Sequence, residues 1–484
     1  MGRRKMAGVC LLAVMVMLPA FGFAAGPPSA PGPVAAPPAT ALEGAWQGTL
    51  SVGAVRLRLV IKIKHDGARK GPGAEWTATL DSIDQGARDI PIDAVTVEGD
   101  RLKLALAKIG ASYDARLEGQ RLVGTFKQNG AVLPLDLEKT ASPSVIKPRP
   151  QEPRRPFPYK EIALTVDNAA GGNTLGCTLT EPRQKGPFAA VVLFTGSGPQ
   201  DRDESLMGHK PFLVLSDAIT RQGVAVLRCD DRGVGKSTGT FANATTLDFA
   251  GDALAEVAAL RARPEIARAH VGVAGHSEGA AVAAIAAGRS KDVAFIVLLA
   301  GTALPGGEIL DLQRAWLEKQ DGLTEASIAD SRANWHRAYA IIKAEKDDAA
   351  ARKKLRVLYD GLPTATRASM EQAGGFEAAV KVVLSPWCRT FLTLDPRTYL
   401  AQVKVPVLAI NGDLDRQVPA RENIPAMKKA LAHDHDVTVR EMPGLNHLFQ
   451  HAKTGALTEY GELEETMSPE VLTLVSNWIA RHGE

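Results

Sequence analysis

The stretch HVGVAGHSEGAAVAAIAAG, His270–Gly288, decides how the chain folds. It opens as a short apolar strand, His270–Ala274, passes through Gly275-His276-Ser277-Glu278-Gly279, and runs on into the alanine-rich segment Ala280–Gly288, which reads as a helix. A strand that turns this abruptly into a helix leaves no room for side chains beside the turn, so glycines flank the serine. The turn lifts the Ser277 hydroxyl to its tip, and the helix N-terminus beyond it favours developing negative charge. The setting matters more than the spacing. Gly235-Lys236-Ser237-Thr238-Gly239 has the same spacing, but it trails its strand by several residues and leads into Thr240–Thr246, which is no helix start. A phosphate-binding loop in that region is excluded because Asp230 stands where the first glycine is required.

Outward from this turn, Ala189–Thr195, Val224–Arg228, Phe295–Ala300, Val405–Asn411 and Val437–Met442 are further strand patterns, most of them short runs rich in Val, Leu and Ile and separated by helical patterns. Repeated strand–helix units with apolar strands predict a doubly wound, mostly parallel sheet covered on both faces. Glu161–Val166 and Thr174–Thr180 read as an antiparallel hairpin leading into it. Between residues 303 and 400 the strand signal disappears into charged helical patterns, a helical cap inserted into the sheet order. Residues 42–140 differ in texture. Leu57, Leu59, Ile61 and Ile63 alternate with polar residues except at Val60, and turn signals recur at Glu98-Gly99-Asp100, Glu118-Gly119-Gln120 and Asn129-Gly130. This predicts a small all-β barrel or sandwich. The expected organisation is a signal peptide over 1–25, a Pro/Ala-rich tether over 26–41, the β domain over 42–140, a Pro-rich linker over 141–158 and an α/β catalytic domain over 159–484.

The signal peptide is read from Arg3-Arg4-Lys5, the apolar Met6–Leu18 and the small-x-small Gly22-Phe23-Ala24, which predict export with cleavage after Ala24 or Ala25. The apolar run is short for a membrane span, and no later run is long and apolar enough for one. The 57 basic and 54 acidic residues leave a net charge of +3, which does not mark a nucleic-acid binder. Cys177, Cys229 and Cys388 form no metal or redox spacing; an odd number permits at most one bridge, and otherwise they read as buried free thiols. No metal or cofactor is implied.

A serine nucleophile needs a base and the base an orienting acid, and where the nucleophile sits at a strand-to-helix turn they follow in the order Ser, acid, His. Gly412-Asp413-Leu414-Asp415 follows one strand, and Gly444-Leu445-Asn446-His447 follows the next, both at carboxyl ends where α/β sites form. His447 is the expected base and Asp415 the expected acid, with Asp413 capping the turn. The oxyanion donors are expected to be the backbone N–H of Glu278 and that of Ser197, with Gly198 as the alternative, in the loop Thr195-Gly196-Ser197-Gly198-Pro199-Gln200-Asp201.

These motifs, with Asp230-Asp231-Arg232-Gly233-Val234-Gly235 and Asn446-His447-Leu448-Phe449, resemble a secreted α/β-hydrolase of the serine-aminopeptidase (S33-like) or dienelactone-hydrolase-related type, over residues 160–484. The Gly44–Leu137 module is similar to the β domain that often precedes such enzymes. The resemblance implies a serine carboxylesterase acting on small-molecule esters of small to medium acyl chains. Cys229 departs from the pattern, which places an aromatic residue there. Two other readings use the same residues: an aminopeptidase or acyltransferase with the same triad, in which Glu278 could anchor a substrate amine, and a binding role for the β domain. Trp316, Trp335 and Trp387 in the cap are candidate pocket walls.

Overall fold

A computed structural model describes residues 39–483 except 53–54, 67–74, 129–130, 146, 148 and 373. The signal-peptide reading, most of the tether and the Asn129-Gly130 turn lie outside the described residues. From Gly44 to Thr140 the chain forms a ten-stranded sheet whose ladders are all antiparallel. The strands at the two ends of its order, Ala87–Pro91 and Ala94–Glu98, are consecutive in the chain. Between them, Ile92 N–H donates to Ala78 O on one side and Asp93 N–H to Ala105 O on the other. The sheet therefore curls back on itself around one core, which takes Leu57, Leu59, Ile61 and Ile63 from one strand and buries Trp46, Tyr113 and Phe126. Alternation at period two puts that leucine and isoleucine set on the inner face.

The second sheet has eight strands: β1 (Lys160–Asn168), β2 (Asn173–Glu181), β3 (Phe188–Phe194), β4 (Ala225–Cys229), β5 (Ile266–His276), β6 (Ile296–Leu299), β7 (Val407–Gly412) and β8 (Val437–Met442). Their spatial order is 1-2-4-3-5-6-7-8; β1, β2 and β4 pair antiparallel, and β4-β3-β5-β6-β7-β8 pair in parallel. The central strands are apolar throughout because both faces are covered. Val191 and Leu193 of β3 pack with α1 (Pro211–Arg221) and the C-terminal helix Pro469–His482, while Ala190 and Val192 pack against α2 (Thr246–Arg261) and α3 (Glu278–Arg289). Between β6 and β7 a run of helices, Gly306–Gln320 to Pro396–Leu400, forms the cap. Among the described residues no helix is long and apolar enough to cross a membrane.

Cys177 and Cys229 do not remain free thiols. They stand directly opposite each other on β2 and β4 and are joined in a disulfide, with Cα atoms 4.0 Å apart, while Cys388 stays reduced and buried. This accounts for the small residue at Cys229: an aromatic side chain cannot share that cross-strand position with a bonded sulfur.

The Pro-rich connection is pinned. The Arg149 guanidinium donates to the carbonyls of Met207, Gly208, Gly461 and Leu463. Gln151 bonds the backbone of Thr466 and Met467. Arg58 of the β barrel bridges Asp84 and Glu462, and Met207 and Leu457 pack on the barrel core. The two parts touch backbone to backbone at Gly86 and Gly208, where a Cβ on Gly86 would lie 2.5 Å from Gly208 Cα. The barrel thus rests on the loop that follows β3 and on the 457–467 segment.

Candidate active site

Ser277 is the residue between β5 and α3, with φ 54° and ψ −115°. A non-glycine residue there carries strain of about 1–3 kcal/mol, which the surrounding packing must hold. The flanking glycines show how tight the turn is. A Cβ on Gly275 would fall 1.9 Å from Gly279 O, and one on Gly279 would fall 2.2 Å from Phe194 O. β3 thus runs against the turn, bringing the loop after β3 to Ser277: a Cβ on Gly196 would lie 3.2 Å from Ser277 Cβ.

His447 and Asp415 are brought together from the loops after β8 and β7. His447 Nδ1 lies 2.8 Å from Asp415 Oδ2, and the two side chains are almost fully buried. The other carboxylate oxygen of Asp415 accepts from the N–H groups of Gln417 and Val418, each at 2.8 Å. With both its oxygens engaged the carboxylate is held in place, so His447 carries its proton on Nδ1 and leaves Nε2 as an acceptor. Asp413 turns away and accepts from Gly444 N–H at 2.6 Å. His276, the residue before Ser277, packs against His447 with ring centroids 4.7 Å apart and planes tilted by 49°, and its Nε2 lies 2.9 Å from His447 O. Among the hydrogen bonds of the described residues none joins Ser277 to His447; such contacts are often long in free enzymes and tighten with substrate.

Glu278 opens α3, so its N–H is one of the amides a helix leaves without an internal partner. In the β3 loop, Gly196 N–H is taken by Glu204 Oε1 at 2.8 Å, and Ser197 lines the same small cavity as Ser277 and Glu278. That loop is held at both ends by Asp231, which accepts from Thr195 Oγ1 at 2.8 Å and from Gln200 N–H at 2.9 Å. Burial pushes the Asp231 carboxyl well above its usual range.

Residues 192–457 match the alpha/beta hydrolase family. The chain belongs to that family. Esterase EstD of Thermotoga maritima is 32% identical over 163 residues, which are 34% of this hydrolase and 37% of EstD; the match spans little more than a third of that relative's length. Among solved structures, Est1E of Butyrivibrio proteoclasticus, with ferulic acid bound, is 16% identical, with 66% of this chain and 97% of that one covered and a TM-score of 0.38. A Pyrococcus furiosus esterase is 17% identical, with 67% and 91% covered and a TM-score of 0.39.

In the hydrolase a cavity of about 50 Å³ opens beside Ser277, walled by Ser197, Thr246, Glu278, Ile309, Phe391 and Leu394 among others. Ile309 and Phe391 come from the cap. A further cap residue, Trp387, donates its indole N–H to Glu278 Oε1 at 2.9 Å, and Thr246 Oγ1 donates to the same oxygen at 2.6 Å. Burial raises the Glu278 carboxyl above its usual range, and these donors pull against that shift. Of the three tryptophans singled out in the sequence, Trp387 reaches this site, Trp335 lies deeper in the cap and Trp316 is half-buried.

One buried residue beside the site, Glu204, escapes sequence reasoning. Glu204, buried and at φ 53°, binds both Gly196 N–H and His276 Nδ1, the latter at 2.9 Å. Burial pulls the His276 imidazole down, but the Glu204 carboxylate, the His447 carbonyl and the Asp415 charge together raise its pKa. The Glu204–His276 pair ties the loop after β3 to the turn that carries Ser277. Glu204 sits in a polar loop with no periodicity, so nothing in the sequence distinguishes it from its neighbours. The decoy Ser237 is structural: its hydroxyl donates to Asp230 O at 2.6 Å and accepts from Gly176 N–H at 2.9 Å. Asp230 in turn binds Arg202, and Arg232 binds Asp252, so the Asp230–Arg232 segment braces the loop.

Proposed function

We propose that this hydrolase is an exported serine carboxylesterase acting on small-molecule esters with short acyl groups. The observation that carries the reading is the strained Ser277 at the tip of β5, with a buried His447 oriented by Asp415 on the adjoining loops. Ser277 Oγ attacks the acyl carbon while His447 Nε2 takes its proton. The oxyanion is received by the N–H groups of Ser197 and Glu278. Collapse breaks the bond to the alkoxy oxygen, which leaves with the proton from His447, and the acyl group stays on Ser277. Water, deprotonated by His447, then attacks the acyl carbon; the bond to Ser277 Oγ breaks, His447 returns the proton to Oγ, and the acid leaves. Asp415 holds the imidazole tautomer and stabilises the imidazolium.

A short acyl group follows from the cavity. At about 50 Å³ it is small beside the roughly 300–1,000 Å³ of pockets that take drug-sized ligands. An aminopeptidase reading would use Glu278 as the amine anchor, but that carboxylate already accepts from Thr246 and Trp387. Export rests on the N-terminal sequence, and a structural disulfide accords with an oxidising compartment.

A panel of p-nitrophenyl esters of graded acyl length, run beside aminoacyl-p-nitroanilides, tests the reading. Acetate to butyrate esters should turn over fastest and the anilides hardly at all. A phosphonate should label Ser277, and Ser277→Ala should abolish labelling and turnover, whereas Ser237→Ala should keep both. Wild-type turnover in Ser277→Ala would refute the mechanism.

A further inference from the structure

Glu204 and His276 are buried beside Ser277, and the reaction above gives neither a part. Glu204 is presented by a built loop. Its backbone takes a left-handed φ of 53°, its N–H donates to Asp201 O at 2.9 Å, and Asp201 Oδ1 accepts from the N–H groups of Asp203 and Ser205. The residues just before it are anchored, Arg202 on Asp230 and Asp203 on Arg228. A strained conformation persists only where its surroundings impose it.

Glu204 Oε1 accepts from Gly196 N–H at 2.8 Å and faces His276 Nδ1 at 2.9 Å, while His276 Nε2 faces His447 O at 2.9 Å. A carbonyl can only accept, so Nε2 carries a proton. Two lone pairs at this distance repel, so a proton also lies between Nδ1 and Oε1. Imidazole, the stronger base by about two units, takes it. His276 is then an imidazolium donating from both nitrogens. Burial works against that charge, and Glu204, the His447 carbonyl and Asp415 outweigh it. The other titratable groups around the pair are the His447 ring, 4.7 Å away, and Asp231 behind Glu204, whose carboxyl burial and the Glu204 charge hold above its usual range.

We propose that Glu204 and the imidazolium of His276 are a positioning pair for the reaction. This rests on the roles given above to Ser277 and His447. One carboxylate oxygen fixes the peptide that leads into the loop after β3, and through His276 it also holds the backbone of the base. Loss of the second imidazole proton would set a lone pair against Glu204 or against His447 O and release one side, so turnover should fall at alkaline pH.

Two measurements on the full chain test this. Nitrogen-15 NMR of histidine-labelled protein at about pH 7.5 should show a ring with both nitrogens protonated, where an ordinary histidine near 6.5 is mostly neutral. It reads no turnover and needs no variant, so a variant that misfolds leaves the test standing. In the second, kcat for p-nitrophenyl acetate should show an alkaline limb above the ordinary histidine range. Glu204→Gln keeps an acceptor for Gly196 and removes the charge. Its limb should move about 1–3 units lower, and kcat at about pH 7.5 should drop by about 10²-fold with KM within about twofold. His276→Gln should abolish the limb, and the double variant should cost no more than the worse single one, because the two act as a unit. Circular dichroism should show the variants folded. Absence of a doubly protonated ring, an unmoved limb in Glu204→Gln, a limb retained in His276→Gln, or a loss carried by KM alone would overturn the proposal. Failure of the esterase reading shows separately, as turnover that survives in Ser277→Ala.

Discussion

His209 makes the stability of this hydrolase depend on pH in a way that can be calculated. Its side chain is wholly buried where the β3 loop meets the 457–467 segment, with Nε2 2.8 Å from Tyr460 O and Nδ1 2.9 Å from Thr466 Oγ1. The carbonyl can only accept, so Nε2 carries the proton and Nδ1 accepts from the threonine hydroxyl. Burial, helped by the nearby Arg149 charge, lowers its pKa from 6.5 to about 4. The folded state therefore holds His209 neutral while the unfolded chain protonates first. The stabilisation is complete above about pH 6.5 and is lost as pH falls towards 4. A difference of about 2.5 units at 1.36 kcal/mol each is about 3 kcal/mol. His209→Gln keeps a donor for Tyr460 O and removes the titration. Urea unfolding of both proteins at half-unit steps from pH 7 to 4.5 should show the wild type losing about 2–3 kcal/mol more than the variant, since most of the interval is then crossed. Parallel profiles would mean that His209 is hydrated or already charged in the folded state, and the reasoning would fail.

Asp415→Asn would turn an N–H toward His447 Nδ1 and force the proton onto Nε2, so kcat should fall by about 10⁴-fold, the scale of that change in other serine triads, with the fold intact. Asp413→Asn keeps an acceptor for Gly444 and should cost little; steady-state kinetics of the pair separates the two acids, and the reverse ranking would move the role to Asp413. Cys177→Ala with Cys229→Ala releases a loop of 52 residues' separation, and chain entropy puts the loss at about 4 kcal/mol in denaturant unfolding under non-reducing conditions. Gly86→Ala places a methyl against Gly208 and also strains a φ of +67°, so limited proteolysis should cut the 141–158 connection faster in the variant while the hydrolase sheet stays resistant.

Local chemistry made much of this protein legible. The period of two in Val55–Ile63, the apolar runs of β3 to β7 and the glycine-flanked Ser277 each report a constraint that acts on neighbours in the chain, and such constraints are written in adjacent residues. Asp415 and His447 could be picked out because they follow strands whose ends must share one edge of a parallel sheet. What tertiary structure alone decided involves residues far apart in sequence. Cys177 meets Cys229 because β2 is seated beside β4, a neighbour relation no spacing encodes. Glu204 reaches His276, and Trp387 reaches Glu278, only after the loop after β3 and the cap have packed over the β5 tip. Arg149 pins a connection that reads as a free linker because its acceptors are backbone carbonyls, which every residue carries and no sequence pattern reveals.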